Sequence, residues 1–206
     1  PHTHTLQTLS EEIRAMIRSA SMVLLQREVP ERVNVEAAEF ARSVGTPVMM
    51  DAGGIDEPMP DALLKLLTYF CPNETEISRI TGMPSSNDEE VLAAAKELQR
   101  RGVANVLVTL GTDGSLHLSS DGSVERAAAF KIDSAAVVDT TGAGDCYRAA
   151  FAVATMSGTW SLACCLQFAA AASALCVQTL GAMPSMPARA DVLAFLASRG
   201  IELSRL

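Results

Sequence analysis

The stretch from Asp88 to Leu110, DEEVLAAAKELQRRGVANVLVTL, contains a helix, a stop and a buried strand, in that order. Val91, Leu92, Ala95 and Leu98 recur at helical spacing from 88 to 101, and Gly102 ends the pattern. The run that follows, NVLVTL at 105 to 110, has three consecutive apolar residues, Val106, Leu107 and Val108, as a strand covered on both faces requires. The same alternation extends upstream. MVLL at 22 to 25, TPVMM at 46 to 50 and TYFC at 68 to 71 read as strands. Between them, Pro30 and Glu31 open a helix carrying Val33, Ala37, Phe40 and Ala41, Asp61 is placed to cap a short helix, and another helix starts at Asn73. Ahead of the first strand, Thr8 and Glu11 have capping-box spacing before a helical face of Leu9, Ile13, Met16 and Ile17. This alternation predicts an α/β fold, a parallel sheet flanked by helices on both faces.

After Leu110 the pattern changes. GTDG at 111 to 114 and SSDG at 119 to 122 are turn sequences separating the short β-like runs SLHL and VERAAAF, which predicts a hairpin. From Gly142 the chain reads as helical through AAFAVATM, LACCLQFAAAASALCVQ and ARADVLAFLAS, and the small residues from Ala169 to Ala174 allow close helix approach. With no repeat or linker, residues 1–206 read as a single α/β domain.

Composition narrows the function classes. A net charge of -8 without a basic block disfavours nucleic acid and anionic lipid as partners. At 49% apolar residues, with no run near the roughly 20 needed to span a bilayer, the chain reads as a soluble protein acting on small molecules. Cys71, Cys146, Cys164, Cys165 and Cys176 are odd in number and lack CxxC spacing, so neither a disulfide framework nor a zinc site is expected and a reducing compartment is favoured.

The chemistry concentrates in Asp139-Thr-Thr-Gly-Ala-Gly-Asp145, a glycine turn between a β-like run and a helix. A helix N-terminus beyond a strand offers unpaired N–H groups to an anion, and Gly142 and Gly144 let an anion approach the backbone. Asp145, in the first turn, is placed to take a proton from a hydroxyl attacking phosphorus. The only lysines are Lys65, Lys96 and Lys131, and no GxxxxGKS/T loop exists, so developing charge would fall to backbone amides and a metal. The same residues also suit a plain strand-to-helix turn with a dipole-favoured acid. Asn73 and Glu76, three apart in CPNETE, suit hydrated magnesium and phosphate or, equally, a capping pair.

Taken together, DTTGAGD, NETE at 73 to 76, TLGTDG at 109 to 114 and GAMPSMP at 181 to 187 resemble the ribokinase branch of the phosphofructokinase-B-type carbohydrate kinases. The order and separation of these motifs cover most of the chain from about Thr8, and CPNETEISRITGMP and FAAAASALCVQ most resemble the plant-type members. The resemblance implies ATP-dependent phosphorylation of the 5-hydroxyl of D-ribose, with Asp145 as base and Gly142, Ala143 and Gly144 as anion hole. It assigns Asn73 and Glu76 to Mg2+ and phosphate, Thr109, Gly111 and Gly114 to the nucleotide loop, and Glu28 to the sugar. It also implies a K+ site formed by the Asp139 side chain with Thr141, Cys176, Thr179, Gly181 and Ser185, mostly through backbone carbonyls.

The chain departs from the family pattern at Cys146, Tyr147 and Ala149, where Thr, Phe and Gly are usual, and at Asp51-Ala-Gly-Gly54, which reads as a structural turn. Members of the family carry a further N-terminal portion before the point equivalent to Pro1, holding the first strands, a sugar-binding GG motif and a β-sheet lid. The expectation is therefore the C-terminal nucleotide-binding and catalytic portion of such a kinase, inactive by itself, from a cytoplasmic or plastid-stromal homodimer. A non-catalytic nucleotide-binding module, or a kinase for a related sugar or nucleoside, is the alternative.

Overall fold

Val48, Met49 and Met50 are at most 1% exposed, and because successive strand residues point to opposite faces, both faces of this strand are covered. It belongs to a computed structural model that describes residues 9–54 and 57–203. By contacts the chain divides into two units, 1–106 and 107–206.

The first unit contains α1 (Glu11–Ser19), β1 (Val23–Leu25), α2 (Glu31–Val44), β2 (Val48–Asp51), α3 (Asp61–Leu64), β3 (Tyr69–Cys71), α4 (Glu74–Thr81), α5 (Asp88–Arg100) and the start of β4 (Asn105–Thr109). The strands run parallel in chain order, with Val23 opposite Val48, Met49 opposite Tyr69, and Tyr69 opposite Asn105. Phe70, Leu98 and Val106 are fully buried. Each such side chain contributes roughly 1.5–3 kcal/mol relative to exposure.

Three local expectations need correction. Thr8 lies outside the described residues, and α1 is capped instead by Ser10, whose hydroxyl accepts the Ile13 N–H at 3.3 Å. Ile17 alone of α1 is buried, whereas Met16 is 69% exposed. In α2 Val33 faces solvent and the buried stripe is Asn34, Ala37, Ala38 and Ala41. Asn34 is tolerated there because its side-chain amide donates to the Gln26 carbonyl at 2.8 Å. At α3 the cap is Pro60, and Asp61 instead accepts from Arg101 Nε at 2.7 Å.

The second unit contains the rest of β4, β5 (Ser115–Leu118), β6 (Val124–Ala127), α6 (Ala143–Met156), α7 (Leu162–Cys176) and α8 (Arg189–Ser198). β5 and β6 form the antiparallel hairpin expected, with Ser115 opposite Ala127. Ala169 and Ala171 on α7 are fully buried, and Ser173 donates to the Ala143 carbonyl at 3.1 Å, joining α7 to the start of α6. Tyr147, at a position where Phe is usual, bonds its hydroxyl to the buried Ser115 at 2.6 Å.

His117 on β5 is 2% exposed and stacks near Phe151 with ring centroids 5.9 Å apart. Burial pushes its pKa down from 6.5 to about 4, with Asp121 opposing weakly. The folded state therefore holds a neutral imidazole. Its contribution is fully present above pH 6.5 and falls as pH drops toward 4, by up to roughly 3 kcal/mol. Urea unfolding of wild type and His117→Gln between pH 7 and 4 checks this: the wild type should lose more stability than the variant across that window.

Candidate active site

In the second unit, the Asp139 to Asp145 turn is tied to the 177–185 loop. Val138 and Asp139 donate their N–H groups to the Val177 carbonyl at 2.9 and 3.2 Å. The Asp139 carboxylate accepts the Thr141 N–H at 2.9 Å through Oδ1 and the Gly181 N–H at 2.8 Å through Oδ2. The Thr141 backbone and hydroxyl, then the Gly181 N–H, hold the Asp139 carboxyl below the usual carboxylate range. Asp139 thus fastens two segments 42 residues apart in sequence.

Gly142 follows at φ +81, and a Cβ there would sit 3.0 Å from the Ala182 side chain and 3.3 Å from Met186 Cε. A left-handed conformation and a close neighbour both select glycine. Gly142 is the N-cap of α6 and supplies no side-chain cap, so the leading N–H groups of the helix are not answered by a capping side chain. Ala143 and Gly144 continue the turn into the helix.

Asp145 lies in the first turn of α6 with its side chain 67% exposed. Its Oδ1 accepts a hydrogen bond from Arg148 Nη2 at 2.8 Å. Arg148, three residues on and only 15% exposed at its side chain, is not among the residues that the sequence singles out. The signal was the i, i+3 spacing from Asp145.

The other second-unit residues fall into two groups. Cys176 Sγ and Ser185 Oγ are 3.1 Å apart and buried, Ser185 donates to the Ala182 carbonyl at 2.8 Å, and Thr179 donates its N–H to the Cys176 carbonyl at 3.1 Å. Burial and the neighbouring Cys176 push the Cys146 thiol up to about 12, so it stays protonated. Thr109 ends β4, and Gly111 is exposed in a 3-10 turn, Gly111–Asp113, with open space around it. Gly114 differs: it is buried at φ +100, and a Cβ there would collide with the Ala127 carbonyl oxygen. Its lack of a side chain is demanded by the packing of the hairpin.

In the first unit Asn73 and Glu76 close a capping box. Glu76 N–H donates to Asn73 Oδ1 at 2.9 Å, and Asn73 N–H donates to Glu76 Oε2 at 2.8 Å. Of the two readings open from sequence, the capping one is formed. Glu76 Oε1 is outside the box and faces the Asp51 to Gly54 turn, 3.3 Å from where a Gly53 Cβ would stand. Asp51 itself accepts the Gly53 N–H at 3.1 Å, and a Gly53 Cβ would lie 3.6 Å from Asp51 Oδ1. Glu28 is exposed in the turn after β1, its carboxyl carbon 3.1 Å from a Cβ position at Gly54. These acids gather beyond the carboxyl ends of β1, β2 and β3, where parallel sheets place ligands.

Residues 3–189 match the model of the family described as pfkB family carbohydrate kinase. The chain is 45% identical over 191 residues to a ribokinase of Arabidopsis thaliana, covering 92% of this chain and 49% of that protein. A solved structure of Arabidopsis thaliana ribokinase complexed with ribose and ATP superimposes at a TM-score of 0.87 and 45% identity, over 91% of this chain and 59% of that one. A Thermotoga maritima ribokinase structure gives 0.75 at 33% identity, over 89% and 59%. The chain therefore spans about half the length of the plant relative it matches.

Proposed function

We propose that this chain, which belongs to the pfkB family of carbohydrate kinases, carries the catalytic residues of a kinase that transfers the γ-phosphoryl group of ATP to the 5-hydroxyl of D-ribose. The observation that carries this reading is the α6 terminus: a glycine turn without a capping side chain, fixed by Asp139, with the Asp145 carboxylate in the first turn. The plant relative, with ribose and ATP bound in its structure, supports the substrate pair.

In this reading the Gly142, Ala143 and Gly144 backbone forms the anion hole for the transferring phosphoryl oxygens at the positive end of the helix, the Ala143 N–H, which donates to the Thr140 carbonyl at 3.2 Å, turning to the phosphoryl group when it binds. The sugar O5–Pγ bond forms as the bond from Pγ to the departing ADP oxygen breaks, and the hydroxyl proton passes to Asp145. Exposure of the Asp145 carboxylate leaves it accessible to an incoming hydroxyl. Thr109 and Gly111 are assigned to the nucleotide. Gly114 is kept in that loop through its packing, and Glu28 is assigned to the sugar.

For magnesium, Glu76 Oε1, outside the capping box and beside the Asp51 turn, is the oxygen that a hydrated ion would take, with Asn73 holding Glu76 in place. When bound, magnesium supplies positive charge to the phosphate oxygens. For potassium, the ionised Asp139 and the carbonyls of the 176–185 loop are oxygen donors suited to a hard cation. Thr141, Cys176, Thr179, Gly181 and Ser185 would complete that set. The rate in potassium should exceed the rate in a large inert cation at equal ionic strength by roughly tenfold. Equal rates would remove the cation from the account.

The acidic net charge supports small-molecule partners, and a homodimer of the protein is part of the same proposal, checked by sedimentation. The activity itself is tested by coupled detection of ADP release from the protein at its native length. Release that requires D-ribose supports the reading, and a rate unchanged by any sugar contradicts it.

A further inference from the structure

Arg148 sits in the second turn of α6, and side chains on a helix lean toward its N-terminus. Its guanidinium therefore reaches the first turn: Nη2 bonds Asp145 Oδ1 at 2.8 Å, while a Cβ at Gly144 would lie 3.3 Å from Nη1 and 3.4 Å from Nη2. The cation is packed on the glycine turn itself. The N-terminal end of a helix carries partial positive charge and disfavours a cation. The Asp145 carboxylate is one group that offsets this cost. Glycine at 144 is what leaves room for the guanidinium.

We propose that Arg148 is a positioning residue for phosphoryl transfer. By holding Oδ1 it fixes the Asp145 rotamer and presents Oδ2, which accepts no hydrogen bond among the described residues, to the substrate hydroxyl. The hydroxyl proton then passes to Oδ2 while Oδ1 stays bonded to the guanidinium. With lysine so scarce, Arg148 also supplies a side-chain cation beside Gly144, in the turn assigned to the phosphoryl group. The proposal rests on the reading of Asp145 as the base.

The test is a double-mutant cycle in the protein at its native length, with D-ribose and ATP as substrates. Arg148→Met should lower kcat by roughly 10- to 100-fold with both KM values within about threefold. Arg148→Lys, which keeps the cation, should recover kcat to within about fivefold of wild type, and added guanidinium should partly rescue Arg148→Met. In an Asp145→Asn background, Arg148→Met should cost less than about twofold more, because the two residues act as one unit. The inference is overturned if Arg148→Met keeps near-native kcat, if its loss adds in full to that of Asp145→Asn, or if Arg148→Lys is as impaired as Arg148→Met. Should Arg148→Met fold poorly, Arg148→Ala takes its place in the cycle with the same expected loss of kcat. An Asp145→Asn enzyme with native kcat would overturn the base reading instead, a separate outcome from failure at Arg148.

Discussion

Asp145→Asn is expected to lower kcat by roughly 10²-fold or more while the KM for ATP changes by less than about threefold. The substitution keeps the size of the side chain and an oxygen that can still accept from Arg148 Nη2, so the start of α6 is preserved. What is lost is the ability to take a proton from the attacking hydroxyl. Because Asp145 is 67% exposed and its side chain is held by the hydrogen bond from Arg148, folding should be nearly unaffected. Steady-state kinetics with unfolding measured in parallel separates the two effects. A variant with near-native kcat would remove Asp145 as the base and leave the turn a structural element.

Gly114→Ala is expected to be the most damaging single-methyl change to stability. At φ +100 an L-residue is strained, and the added Cβ would strike the Ala127 carbonyl while lying 2.8 Å from the Ala129 nitrogen and 2.9 Å from the Ala128 carbonyl carbon. These are backbone atoms, which cannot rotate aside as a side-chain end can. The hairpin would have to open, costing about 3 kcal/mol or more. Gly111→Ala, with φ +51 and open space around it, makes the control and should cost about 1 kcal/mol. Denaturant unfolding of the two variants measures the difference. Equal losses would show that the hairpin base tolerates a side chain at 114.

Much of the fold was legible because buried strands announce themselves. NVLVTL and TPVMM are apolar on consecutive positions, and both are covered on both faces in the structure. Helix faces were less legible where residue type and burial part company. Val33 and Met16 are apolar and exposed, and Asn34 is polar and buried through one bond to a carbonyl that no sequence pattern reveals. At the site, the glycine turn and Asp145 followed from motif and helix-terminus physics. Arg148 did not, because it lies outside the motif, in the second turn, from which a long side chain reaches back to the first. The Asn73 and Glu76 pair remained open from sequence because capping and ion binding demand the same residues at the same spacing; the structure shows the capping bonds formed and one carboxylate oxygen outside them.

The account stands or falls on phosphoryl transfer to ribose from the turn at the head of α6. The direct measurement is phosphorus NMR of the products formed by wild type and Asp145→Asn from ATP and D-ribose. The expected result is ribose 5-phosphate and ADP in equal amounts from wild type, with sugar phosphate formed by Asp145→Asn at a rate lower by roughly 10²-fold or more. ADP accumulating without sugar phosphate, or equal sugar phosphate formation by both proteins, would contradict it.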